Sequence, residues 1–228
     1  MSNAIVIIAP NKESYLKYAL PSVEHFAKKY GHYVETVTEE TYHFPKKAYN
    51  YKIFEKFQVQ KFTDKYDRIL RLDADIIMSP NCPDLFDLFP EDKLWAVYED
   101  VGSRQKDRLN QINIIQDQLG RVKWETGYIN SGVILTSRVH KELYNVTEDY
   151  LIDVICRGLG KFKEQNLINW RIRKLGYEVG DMGFKYNHMS MTRTNLLDSY
   201  IMHAAGIQGT KEFQLRNLYR IWYGETIG

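Results

Sequence analysis

Residues 5–9 read Ile-Val-Ile-Ile-Ala, an unbroken apolar run whose first four side chains are β-branched. A strand with one wet face alternates apolar and polar residues. A run without alternation therefore belongs in a sheet covered on both faces, as in the parallel sheets of α/β proteins. Its surroundings fit that setting: Pro10-Asn11 ends the run, and Leu16, Ala19, Leu20, Val23, Phe26 and Ala27 recur at helical spacing. Gly31 is a stop signal, and residues 33–37 read as a second strand. The opening is thus β-α-β. Further strands are expected at 68–72, 95–98 and 129–135, with a helix over 49–62. No repeat or Gly/Ser/Pro-rich linker divides the 228 residues. One α/β domain is expected, with a Rossmann-like, mostly parallel central sheet flanked by helices.

Composition narrows the function. Lys plus Arg (31) against Asp plus Glu (29) leaves a formal charge of +2, too little to hold a polyanion, which argues against nucleic acid as the main partner. Cys82 and Cys156 form neither CxxC nor a zinc-site spacing and are expected as reduced thiols in a cytoplasmic protein. The apolar run 4–9 is too short for a signal-peptide core or a bilayer span, so no transmembrane segment is expected. The charged stretch 99–110, which includes Gly102, is expected to be exposed, either a plain connection or a lid. Residues 213–223 are apolar at Phe213, Leu215, Leu218, Ile221 and Trp222 and basic at Arg216 and Arg220. They read as an amphipathic helix docked on the sheet, with acceptor binding, a homodimer contact or an anionic membrane surface as its other open uses.

The strand 68–72 runs straight into Asp73-Ala74-Asp75. In α/β sheets ligands bind at the carboxyl ends of strands. Residues i and i+2 of a strand share a face about 6.6 Å apart. Two carboxylates placed so repel unless a cation lies between them, and their hard oxygens suit Mn²⁺ or Mg²⁺. On the motif alone, two solvated turn carboxylates remain the alternative.

The stretch Arg68-Ile-Leu-Arg-Leu-Asp-Ala-Asp-Ile-Ile-Met resembles the nucleotide-sugar glycosyltransferases of the GT-A fold, and among them the glycogenin and bacterial galactosyltransferase group, glycosyltransferase family eight. Four more elements follow in that group's order: Tyr128-Ile-Asn-Ser-Gly-Val-Ile-Leu, Glu164-Gln-Asn-Leu-Ile-Asn, Phe184-Lys-Tyr-Asn and Ile201-Met-His-Ala-Ala-Gly. The likeness runs over residues 5–211. It implies a nucleotide-binding half over 5–75, a sugar and acceptor half over 95–211 and a C-terminal helix over 212–228.

By the same resemblance, Asp73, Asp75 and His203 hold Mn²⁺ or Mg²⁺, with the small Ala74 leaving room for the donor. Ala9 and Asn11 face the base or ribose, and Tyr15 stacks on a uracil or thymine ring. Lys52 is the basic residue near the nucleotide, with Lys56 one turn later as its substitute. Asn130, Ser131 and Gly132 present an amide, a hydroxyl and open backbone to the sugar. Glu164, standing where the group has Asp, binds a sugar hydroxyl, and Gln165 lies beneath the anomeric carbon. Gly206 lets backbone approach the diphosphate. Lys211, two residues later than the group's lysine and without its Pro-Trp, neutralises the leaving diphosphate. The implied reaction moves a sugar from a nucleoside diphosphate sugar, expected to be UDP-linked, to a hydroxyl of a glycan, lipid-linked or protein acceptor, with retention of configuration.

Three alternatives stay open. One is an inverting enzyme using Asp100, Asp181 or Glu125 as base. Another is a sugar nucleotidyltransferase, which the absence of a Gly-rich basic loop after the first strand disfavours. The third is a catalytically silent nucleotide-sugar-binding protein.

Overall fold

β1 (Asn3–Ile8) carries the apolar run, and its side chains divide between two cores. Ala4, Val6 and Ile8 enter one hydrophobic cluster, while Ile5, Ile7 and the following Ala9 enter another, so successive residues feed opposite faces of a sheet. The structure is a computed structural model and describes residues 1–10, 14–44, 51–189, 192, 195–205 and 211–224. α1 (Leu16–Tyr30) buries Ala19, Val23, Phe26 and Ala27 and stops at Gly31, whose φ of 76° suits a residue without a side chain. β2 (Tyr33–Val37) returns parallel to β1. A 3₁₀ helix over Tyr51–Phe62 then buries Phe54, Phe57 and Val59 under the first face. Truncating either Phe54 or Phe57 to alanine is worth about 3–5 kcal/mol of stability.

β3 (Arg68–Asp73) lies parallel to β1 on its other side. The chain turns at Ala74-Asp75 into the short β4 (Ile76–Met78), then passes through α2 (Leu85–Leu88), β5 (Leu94–Tyr98) and α3 (Gln105–Leu119). β6 (Ile129–Ser137) runs antiparallel between β3 and β5 and is followed by α4 (Glu148–Arg157), α5 (Lys163–Lys174) and β7 (Val179–Asp181). The main sheet has the order β2-β1-β3-β6-β5-β7, with β6 alone reversed. The mostly parallel, helix-flanked sheet expected from the sequence is the one observed. β8 (Ile201–His203) pairs antiparallel with β4 in a separate two-stranded sheet, with His203 opposite Ile76. α6 (Lys211–Tyr223) packs Leu215, Leu218 and Tyr219 against Tyr18, Ile77, Met202 and Ala204.

Two expectations need correction. The stretch 99–110 is exposed only in part: Val101, Gly102, Ser103, Gln105, Lys106 and Asn110 are exposed, whereas Glu99, Asp100 and Arg108 are buried, and α3 begins within it. Glu99 and Arg108 neutralise one another in the interior, where Arg108 Nη2 lies 2.7 Å from Glu99 Oε1. In α6 the apolar residues do not share one face. Leu215, Leu218 and Tyr219 follow the helical i, i+3, i+4 spacing and are buried, whereas Phe213 and Ile221 are 57% and 63% exposed. Among the described residues no helix is long and apolar enough to cross a membrane.

Candidate active site

The turn after β3 and the pairing of β4 with β8 bring three potential ligands together. One atom each from Asp73, Asp75 and His203 lies within 4.8 Å of the others. His203 Nε2 is 3.2 Å from Asp75 Oδ1 and 3.6 Å from Asp73 Oδ2. A chain of hydrogen bonds fixes the ring. The backbone N–H of Gly132 donates to Asn130 Oδ1, which also accepts from Asn187 Nδ2, so Asn187 turns its Oδ1 towards His203 Nδ1 at 2.9 Å. Nδ1 then carries a proton, and Nε2 is the nitrogen that faces the two carboxylates. Two oxygens and one imidazole nitrogen arranged so fit a hard or borderline divalent cation. Gly132 makes room for this ring: a Cβ there would overlap His203 Cε1 and come within 2.5 Å of Nδ1.

The carboxylates are surrounded by cations. Arg71, fully buried two residues before Asp73 on the same face of β3, donates from Nη2 to Asp73 Oδ1 at 2.9 Å. Lys56 Nζ lies 3.0 Å from Asp73 Oδ1 and 2.7 Å from Glu164 Oε1. Lys211 Nζ lies 2.6 Å from Asp75 Oδ2. Burial pushes the Asp73 carboxyl up, but Lys56, Arg71 and His203 outweigh it and hold it below the usual range. Asp75 behaves likewise: burial raises it, and His203 and Lys211 bring it well down. Burial lowers the Lys56 ammonium, and Asp73 with Glu164 more than restores it. Asp73, Asp75 and Lys56 are therefore charged at neutral pH.

A second cluster joins the end of β6 to the start of α5. The Gln165 Oε1 accepts from Ser131 N–H at 3.0 Å and from Asn130 Nδ2 at 3.3 Å, and its Nε2 donates to Glu99 Oε2 at 2.8 Å. Ser131 Oγ reaches Glu164 Oε1 at 3.3 Å. Glu99 also takes Arg104 and Arg108, and Arg108 lies 3.8 Å from the centre of the Phe162 ring. Burial raises the Glu99 carboxyl, and its two arginines and Gln165 pull it below the ordinary glutamate value.

Both clusters line one cavity of about 560 Å³, together with Ser103, Asp107, Lys161 and Ala205. This size is within the range of small-molecule sites. A smaller cavity of about 160 Å³ adjoins it, lined by Ile8, Pro10, Tyr15, Lys52, Ile53 and Ala74. Asp73, Asp75, Lys56 and Lys211 border both. Ala9 is buried, with its N–H on Val37 O, and its neighbours Ile8 and Pro10 line the smaller cavity instead. Lys52 also lines it but pairs with Glu40 at 2.5 Å, so Lys56 is the lysine that reaches the carboxylates. Asn11 and Gly206 lie outside the described residues. Of the three possible bases, Asp100 accepts from the backbone N–H groups of Gly127 and Tyr128, Asp181 from that of Gly183, and Glu125 is exposed. Sequence reasoning missed Arg71 and Glu99. The first is visible as a charge inside an apolar strand at i−2 of Asp73. The second has no signal that separates it from a solvated acid.

Residues 10–193 match the family description "Glycosyl transferase family 8". The chain belongs to this family of glycosyltransferases. His203 and Lys211 lie beyond the matched stretch, and the β4–β8 pairing and α6 bring them back to it. Among solved structures the galactosyltransferase LgtC, in complex with donor and acceptor sugar analogs, aligns at a TM-score of 0.64 with 15% identity, covering 99% of this chain and 97% of that one. A glycosyltransferase involved in the glycosylation of the major capsid of PBCV-1 aligns at 0.63 with 13% identity, covering 94% and 99%. The bifunctional glycosyltransferase WbbM aligns at 0.57 with 11% identity, covering 90% of this chain and 46% of that one. These likenesses show the GT-A fold. No curated protein matches the chain in sequence.

Proposed function

We propose that the protein transfers a sugar from a nucleoside diphosphate sugar, with uracil the favoured base, to a hydroxyl of a glycan, lipid-linked or protein acceptor, with retention of anomeric configuration. The observation that carries this reading is the convergence of Asp73, Asp75 and His203 on a wall bordering two cavities, one suited to a nucleoside and the other to a sugar with its acceptor. Asp73, Asp75 and His203 would hold Mn²⁺ or Mg²⁺. Bound there, the cation supplies neutralising charge for the diphosphate oxygens. Tyr15 would offer its ring to the base, and Ala74 leaves the turn open beside the ribose. Asn130 and Ser131 would orient the sugar around Gln165, whose amide is fixed by Ser131 and Glu99.

In the proposed step the bond from the anomeric carbon to the β-phosphate oxygen breaks, and the acceptor oxygen bonds to that carbon on the same face. The acceptor proton passes to a departing phosphate oxygen. Lys211 would stabilise the charge that develops there. Retention is favoured because the nearest carboxylates are committed: Glu164 to Lys56 and Ser131, and Glu99 to two arginines and Gln165.

The test is thermal stabilisation by UDP with Mn²⁺, followed by hydrolysis of a panel of UDP-sugars with and without chelator. Asp75→Ala should abolish the metal-dependent part of nucleotide binding and leave a folded protein. Unchanged Mn²⁺-dependent affinity in that variant would sink the metal assignment.

A further inference from the structure

The two lysines on the wall between the cavities are held differently. Lys56 is clamped between two carboxylates, Asp73 and Glu164, and its side chain is 15% exposed. Lys211 pairs, among the described residues, with Asp75 alone, and its side chain is 29% exposed. It takes Asp75 Oδ2, while Asp75 Oδ1 is the atom facing His203 Nε2. A divalent cation on Asp75 and His203 and an ammonium on Asp75 would share one carboxylate. Two like charges that close in a largely buried site repel strongly. Lys211 also has another place to go. Its Nζ lies 5.8 Å from the centre of the Tyr15 ring and borders both cavities, so a diphosphate joining a nucleoside in one to a sugar in the other must pass it.

Resting on the metal-dependent reading above, we propose that Lys211 competes with the cation for Asp75 and yields when a diphosphate accepts its ammonium, so that cation and nucleoside diphosphate bind with strong mutual dependence. Each ligand removes an obstacle to the other. The diphosphate draws the ammonium off the carboxylate, and the cation on the carboxylate leaves the ammonium free for phosphate. Such coupling is reciprocal by thermodynamic necessity. Lys56 is not the exchanging residue, because leaving Asp73 would strand it beside Glu164 with Arg71 still on the aspartate. Removing Lys211 should tighten the cation, whereas a lysine that only greets phosphate would leave the cation unaffected.

The experiment is Mn²⁺ titration of the full chain followed by electron paramagnetic resonance, alone and with UDP or inorganic pyrophosphate, corrected for Mn²⁺ held by the free ligand. In the wild type either ligand should tighten Mn²⁺ by about 10-fold or more, within the ordinary range of coupling between sites. Lys211→Met should bind Mn²⁺ alone about 10-fold more tightly than wild type and reduce the ligand effect to about 3-fold or less, while Lys211→Arg keeps the wild-type pattern. Lys211→Gln carries the same expectation and replaces the Met variant if that one does not unfold cooperatively. Mn²⁺ affinity at or below the wild-type level in the folded variant, or coupling that survives it, overturns the proposal. Failure of the wild type to bind Mn²⁺ under every condition instead sinks the metal reading on which it rests.

Discussion

The two corners of the main cavity are built on opposite plans. At the β3, β4 and β8 corner carboxylates and ammonium groups surround the His203 ring, and Lys56 and Lys211 contact both the carboxylates and open space. At the β6 and α5 corner the neutral side chains of Asn130, Ser131 and Gln165 are held in place by Glu164 and by Glu99 with its two arginines, and both polar atoms of the Gln165 side chain are committed. The first corner can change partners when a ligand arrives. The second is preorganised and gains little by moving. Asn130 belongs to both, its Oδ1 serving the chain to His203 and its Nδ2 touching Gln165.

Gly132→Ala should have the largest effect on this division, because the new Cβ invades the His203 ring from the β6 side. Loss of Mn²⁺ affinity by about 100-fold is expected, at the upper end of what disturbed ligand positioning produces. Wild-type affinity in calorimetric titration would mean that the ring can shift and that the corners are not locked by this contact. Glu99→Gln should do the reverse. Removing a buried charge that holds two arginines should lower stability by about 3 kcal/mol in urea unfolding, with Mn²⁺ affinity unchanged. A fall in both would show that the corners fail together.

The same residue sets an acid limb. Its folded pKa is depressed, so its contribution is fully present above about pH 4.3, the ordinary glutamate value, and is lost as pH falls through the lower folded value. The melting temperature of the wild type should therefore drop more steeply than that of Glu99→Gln below about pH 4.3. Parallel curves would remove Glu99 from the acid response. Lys52→Ala should have the smallest effect, less than about 3-fold on UDP affinity, because its half-exposed pairing with Glu40 is of the weak surface kind. A larger loss would return Lys52 to the nucleotide site.

The sheet was legible because β1 leaves no alternative for residues 5–9, and Asp73 and Asp75 were legible because they end an apolar strand. His203 and Gln165 were reached through family resemblance, since neither residue carries a local signal. Choosing Lys56 over Lys52 needs the direction of a helix turn, and four residues of 3₁₀ geometry are not readable from a spacing. Glu99 and Arg108 were misread because hydropathy treats every charge as solvent-seeking. Burial of an acid becomes acceptable only when its partners are known, and here Arg104 and Gln165 come from different elements. The α6 face failed for a simpler reason. All its apolar residues were assigned inward, although only one helical stripe can be.

The pairing of β4 with β8 also bears on the order of events during folding. Lys211 and Asp75 are 136 positions apart, and His203 is almost as far from the carboxylates it faces. Closing so long a loop is entropically unfavourable and is expected late, after the parallel strands have found one another. A chain emerging from the ribosome would hold β1, β3 and both aspartates well before His203 and Lys211 were available to join them. The candidate site would then be completed in a single late step.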